Sequence, residues 1–161
     1  MNPLAQQSEP ATLLSLRREW PGLAAPDLDD LVGDLEASFV APLRRVAPAG
    51  LGLIGLPRWF GKRFHREGDH LAGMNLLRSE DEDALAETLP MTARVEPSLL
   101  DGRPAVAVSY APDAPVPWRW VRDEIRLRPD GSYLGMTLVQ RPVLRMLGGT
   151  PFLLRSAASR G

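Results

Sequence analysis

Two charged side chains, Lys62 in "RWFGKRFH" and Asp123 in "WRWVRDEIRLR", stand on faces that strand-like alternation makes otherwise largely apolar. A charge so placed cannot stay ionised alone in a dry interior; it must be paired, hydrogen-bonded or neutralised. Asp123 therefore has two readings. It is a structural carboxylate paired with Lys62 or Arg63 across the fold, or it is a carboxyl group whose burial fits it for general acid–base work. In the second reading Glu124 is the alternative acid or base, and Tyr110 or Lys62 stabilises developing charge, so that Asp123, Glu124 and Tyr110 are the candidate catalytic residues.

Alternation in "WRWVRDEIRLR" puts Trp118, Trp120, Arg122, Glu124 and Arg126 on one face and Arg119, Val121, Asp123, Ile125 and Leu127 on the other. The second face is the more apolar and is expected to be the inner one. In "RWFGKRFH" the faces are Trp59, Gly61, Arg63 and His65 against Phe60, Lys62 and Phe64, and neither is plainly core or plainly solvent. Either one of them looks into a partly polar cavity, or Lys62 and Arg63 snorkel from an ordinary strand that carries a bulge at Gly61. Asn75, Tyr110 and Tyr133 lie on apolar strands, where their polar groups need partners if buried. The expected interior includes Phe60, Phe64, Val108, Ile125 and Met136. The candidate ligand-contacting set is Trp59, Phe60, Lys62, Phe64, Asn75, Tyr110, Trp120, Ile125, Tyr133 and Met136.

Composition narrows the chemistry. The 161 residues include no Cys, so there is no disulfide framework and no thiol nucleophile, and the two His residues, His65 and His70, flank a turn without a third ligand at metal-site spacing. No cofactor or metal is expected, since no P-loop, dinucleotide fingerprint or nucleophile elbow is present. Nineteen Lys and Arg against twenty Asp and Glu give a net charge of −1, which provides no global attraction to nucleic acid or an acidic membrane. Trp118 and Trp120 offer base-stacking surface but no basic stripe accompanies them. No stretch approaches the roughly 20 apolar residues of a membrane span, and the N-terminus lacks a basic region leading into an apolar run. The expected location is the cytoplasm.

The elements that must position these residues are short. Sixteen Pro and fourteen Gly punctuate the apolar runs, which argues for strands and turns over long helices. Residues 1–26 read as a tail and a short helix in "ATLLSLRREW", stopped by "PGLAAP"; residues 27–161 form the main domain. Asp27 opens a short helix, a strand runs from Asp34 to about Ala41, Pro42 ends it, and residues 43–56 form a helical cover segment. "RWFGKRFH" and "HLAGMNLLR" make a hairpin around Gly68. "SEDEDALAETLP" is an acidic break with a possible helical turn, after which "MTARVEP", "PAVAVSYA", "WRWVRDEIRLR", "SYLGMTLVQ" and "TPFLLRS" are strands. About eight strands at this spacing imply a mainly β chain, a closed antiparallel barrel or a sandwich.

Short motifs suggest relatives. "RWFGKRF" resembles the W-x-G-K-x-F signature of the bacterial GXWXG-domain proteins and of the domain of unknown function that follows it in those chains. "VRDEIRLRPDGSYLGM", with Asp123, Arg126, Leu134, Gly135 and Met136, is similar to that second domain's D-x-x-R segment and L-G-x-M hairpin, and "PFLLR" to its closing strand. The founding G-x-W-x-G is reduced to "GDLEA", with Gly33 retained and Leu35 in place of the Trp. The resemblance implies a single small lipocalin-like (calycin-like) antiparallel β-barrel, a fold whose members mostly hold small apolar molecules. Three functions follow as alternatives: binding of a small hydrophobic molecule in the barrel, a cofactor-independent isomerase, cyclase or hydratase acting on a terpenoid- or polyketide-like substrate there, or a filled barrel that works through its surface.

Overall fold

The computed structural model describes residues 10–41, 43–53, 55–81, 84–141 and 149–157. Eight strands follow one another in chain order: β1 (Gly33–Ser38), β2 (Trp59–Glu67), β3 (His70–Arg78), β4 (Leu85–Pro97), β5 (Pro104–Tyr110), β6 (Val121–Leu127), β7 (Tyr133–Val139) and β8 (Thr150–Ser156). Each pairs antiparallel with the next, and β1 pairs with β8, so the sheet closes into an eight-stranded up-and-down barrel. Closure leaves no exposed edge to template association. Among the described residues helix is confined to α1 (Leu13–Glu19), α2 (Leu43–Leu53) and three short 3₁₀ turns, and no helix is long and apolar enough to cross a membrane. The tail at residues 1–9 and Pro42 lie outside the described residues.

The two barrel ends differ. At one end the 3₁₀ turn Leu28–Leu31, with Asp27 as its N-cap residue, carries fully buried Leu31 into the barrel. There Leu31, Leu35, Phe64, Leu71, Ala93, Val106, Ile125 and Leu154 pack into a continuous core. At the other end the long β1–β2 connection folds into α2, the cover segment expected from the sequence.

A second apolar cluster lies outside the barrel. Thr12 and Ser15 form a reciprocal capping box at the start of α1, with Ser15 N donating to Thr12 Oγ1 at 3.1 Å and Thr12 N to Ser15 Oγ at 2.8 Å. Leu16 and Trp20 then bury against the outward-facing Ala105, Leu134, Met136 and Leu153. Arg126, wholly buried on this outer face, fastens the segment. Its five N–H donors reach the carbonyls of Trp20, Arg103 and Pro104 and both oxygens of Asp101, at 2.7–3.1 Å, and its guanidinium lies 4.3 Å over the Trp20 ring. Held chiefly by the Arg126 hydrogen bonds, the Asp101 carboxyl is lowered to about 2.

Three local expectations are corrected. The register of β2 shifts between Trp59 and Gly61, so Phe60 occupies a bulge and the parity changes there. Trp59, Lys62 and Phe64 consequently face inward, whereas Phe60 stacks outside beneath the Arg78 guanidinium at 4.8 Å. Gly61 is required at this crossing because a Cβ would overlap the Leu35 carbonyl oxygen of β1. The region from Leu85 to Pro90 is strand, not a helical turn: a register shift in the β3–β4 ladder and a positive φ of 52° at Leu89 accommodate Pro90, which has no N–H to donate. Trp118–Trp120 form a 3₁₀ turn rather than strand, and β6 begins at Val121.

Candidate ligand-binding cavity

Between α2 and the packed half of the barrel lies a cavity of about 370 Å³. Its wall is apolar for the most part: Phe39, Leu56, Trp59, Pro117, Trp118, Val121, Val139 and Phe152, with Ala47, Gly50 and Leu51 of α2 across the mouth. The spacing 47, 50, 51 places these last three on one helical face. Phe152 reaches its place because Gly135 has no side chain; a Cβ there would overlap the Phe152 ring.

Polar groups enter this wall through two cross-strand pairs. Lys62 and Asn75 are register partners on β2 and β3, and Asp123 and Thr137 are register partners on β6 and β7. The pairs meet inside the barrel, where Lys62 Nζ lies 3.0 Å from Asp123 Oδ2. Lys62 also donates to Asn75 Oδ1 at 3.2 Å and to the Tyr110 hydroxyl oxygen at 3.3 Å, with Met91 Sδ at 3.7 Å. Thr137 Oγ1 donates to Asp123 Oδ1 at 2.8 Å. Trp59 Nε1 donates to Asn75 Oδ1 at 3.1 Å and to the Gly61 carbonyl at 2.9 Å. Because both Lys62 and Trp59 donate to the same Asn75 atom, that atom is the oxygen, and the amide nitrogen must be the group donating to Tyr110 at 3.0 Å. The Lys62 ammonium also sits 5.5 Å from the Trp59 ring centroid and 5.8 Å from that of Tyr110.

Burial alone would push the Lys62 ammonium down, but the Asp123 carboxylate and the Tyr110 oxygen together hold it above the ordinary lysine range. Tyr110 is pushed up, first by burial and further by Asp123, with Lys62 and Asn75 opposing; it is a neutral phenol at neutral pH. The network is thus one internal cation, one internal anion and a set of neutral dipoles. As a proton acceptor Asp123 is already engaged on both oxygens, and Lys62 is held as a cation rather than as a free amine nucleophile.

Of the sequence-derived set, Trp59, Lys62, Asn75, Tyr110 and Asp123 come together on the cavity wall. Phe64, Ile125 and Tyr133 are interior but belong to the packed half, Tyr133 donating to the Asp30 carbonyl at 3.1 Å. Four residues lie elsewhere. Phe60 is outside because of the bulge. Met136 points outward beneath α1, since β7 is apolar on both faces and alternation cannot distinguish them. Glu124 also faces outward, wholly buried against Ser98 Oγ, the Leu99 N–H and Arg122, so it has no access to the cavity. Trp120 lies between Arg119 and Arg141, 5.9 and 3.8 Å from its ring, rather than in the wall. Arg63, the other partner considered for Asp123, is outside too, bonded to Asp34 at 2.6 and 2.9 Å and to Glu87 at 2.9 Å.

Sequence reasoning missed Thr137, Trp118 and Phe152. Thr137 follows from register once β6 and β7 are read as a hairpin, because it lies opposite Asp123. A stronger signal was composition: Lys62 is the only lysine, every other member of the nineteen Lys and Arg being arginine. The one compact ammonium in the chain is the one buried inside the barrel.

The barrel is similar to that in a crystal structure of a protein from Thermomonospora curvata, with a TM-score of 0.63 and 20% identity over 91% of this chain and 88% of that one. At that identity the likeness is one of fold. No family model and no curated protein matches the chain.

Proposed function

We propose that the chain is a binding module that holds one small, largely apolar molecule in the α2 half of the barrel. The observation that carries this reading is the cavity itself. Its volume of about 370 Å³ falls in the range of small-molecule sites, and its wall combines aromatic and aliphatic surface with one convergent polar group. A packed core leaves few voids larger than a water molecule, so a space of this size above a fully packed half is not a packing defect. The resemblance of "RWFGKRF" to the GXWXG-associated barrels supports the same reading, since its Trp59 and Lys62 both border the cavity. An isomerase- or cyclase-type reaction is less well supported: Glu124 faces outward and both oxygens of Asp123 already accept hydrogen bonds.

Native mass spectrometry of the purified protein, followed by organic extraction, tests the proposal. A single co-purifying compound, or saturable uptake of small apolar molecules at one per chain, is expected. A barrel that takes up none of them would overturn it.

A further inference from the structure

The hydrogen bonds around Tyr110 do not balance. Its hydroxyl oxygen accepts from Lys62 Nζ at 3.3 Å and from Asn75 Nδ2 at 3.0 Å. An ammonium has no lone pair, and the orientation of the Asn75 amide is fixed by its two other contacts, so neither bond can run the other way. Both acceptor positions of the phenol are filled and its own proton is left over. Among the described residues no acceptor lies within reach of it, although the side chain is buried and borders the cavity. A buried hydroxyl proton without a partner is costly, and the open direction is the cavity.

The charge balance adds a second constraint. Lys62 and Asp123 are the only ionised side chains in the cavity wall among the described residues, and they are paired with each other at 3.0 Å. Among the described residues no cation is left to compensate an anionic ligand, and no anion to compensate a cationic one. Bringing an unpaired charge into such a wall is heavily penalised.

Resting on the binding reading above, we infer that the cavity selects neutral apolar molecules bearing one hydrogen-bond acceptor oxygen, of the ketone, ester or lactone class, and that Tyr110 O–H donates to that oxygen. Two donors on the phenol oxygen draw electron density from it and make its proton a better donor. Trp59, Phe152 and Trp118 then enclose the hydrocarbon. Fatty-acid anions, which share the apolar body, are rejected because the one internal ammonium already serves Asp123.

Three probes of one shape separate the possibilities: tetralin, 1-tetralone and tetralin-1-carboxylate, each titrated by calorimetry against the full chain and against Tyr110→Phe. The ketone is expected to bind the parent about three- to tenfold more tightly than tetralin, the range of one neutral hydrogen bond, and the carboxylate most weakly. In Tyr110→Phe the advantage of the ketone over tetralin should vanish while tetralin binding persists. The carbonyl stretch of bound tetralone should fall below its value in hexane for the parent and return toward it in the variant, a change that loss of packing alone does not produce. Equal affinity of parent protein for tetralin and tetralone would overturn the role of Tyr110 while leaving the binding reading intact. Tightest binding of the carboxylate would overturn the neutral class. Failure of all three to bind would remove the binding reading, and this inference with it. Should Tyr110→Phe fold poorly, the parent affinities and infrared shift decide alone.

Discussion

Removing one member of the Lys62–Asp123 pair strands the other in a wall with no alternative counter-charge among the described residues. Lys62→Met or Asp123→Leu alone should therefore cost about 3–5 kcal/mol, whereas the double variant should cost far less than the sum, since two apolar side chains replace two charges together. Urea denaturation midpoints of the three variants check this, and additive losses would mean that the pair is not coupled. A pH dependence follows with a definite sign. Lys62 is raised in the folded state, so its contribution is complete below the ordinary lysine value of about 10.4 and is lost as the pH rises from there toward the folded value. Tyr110, also raised, acts in the same direction from about 10 upward. The parent protein should lose stability as the pH rises above about 10 more steeply than the Lys62→Met/Asp123→Leu variant, as measured by the same midpoints.

At the level of elements, two junctions decide where side chains point. The β2 bulge is one: Gly61→Ala would force apart β1 and β2 at Leu35, with a loss at or beyond the upper end of the about 1–3 kcal/mol usual for overpacking, visible as a lowered thermal midpoint. The Arg126 fastening is the other. Asp101 is depressed to about 2 in the folded state, so its contribution is present above about 3.9 and is lost as the pH falls toward 2. Asp101→Asn should release the α1–Trp20 segment, giving faster amide exchange in residues 13–22 with the barrel strands still protected, and should flatten the acid dependence of that exchange. These junctions also mark where the sequence was legible. Strand number, the hairpins, the 3₁₀ turn after Asp27 and the α2 cover follow from turn residues and alternation. The assignment of Phe60 and Met136 to the interior failed for different reasons. Gly61 marked a possible bulge in β2, but alternation does not say which residue a bulge sets aside, and β7 is apolar on both faces because α1 covers the outside, so neither face reads as solvent. Glu124 and Asp123 are neighbours in sequence and both buried; alternation separated them by face, but the partners that hold each, Ser98 for Glu124 and Thr137 for Asp123, came only with the structure.

The whole molecule divides one barrel into a packed half that supplies stability and an open half that α2 roofs. That division predicts a conflict between the two at the roof. Gly50 lies on the cavity-facing side of α2 with Ala47 and Leu51, and a Cβ built on it meets nothing within 4 Å. Glycine inside a helix costs roughly 0.5–1 kcal/mol relative to alanine, and leucine is nearly as good a helix former as alanine, so Gly50→Leu should stabilise the fold by about that amount. The same side chain must enter the mouth of the cavity and occupy space that a ligand would use. Expected together are a higher denaturation midpoint and a weaker affinity for 1-tetralone, with the yield of any co-purifying compound reduced in step. A stabilised variant that still binds tetralone like the parent would show that the ligand does not lie beneath α2. A variant that loses binding only because it has lost stability would be recognised by the midpoint moving down rather than up. Residues that maximise stability at this roof close it, which gives a physical reason for a helix-weakening glycine over the cavity.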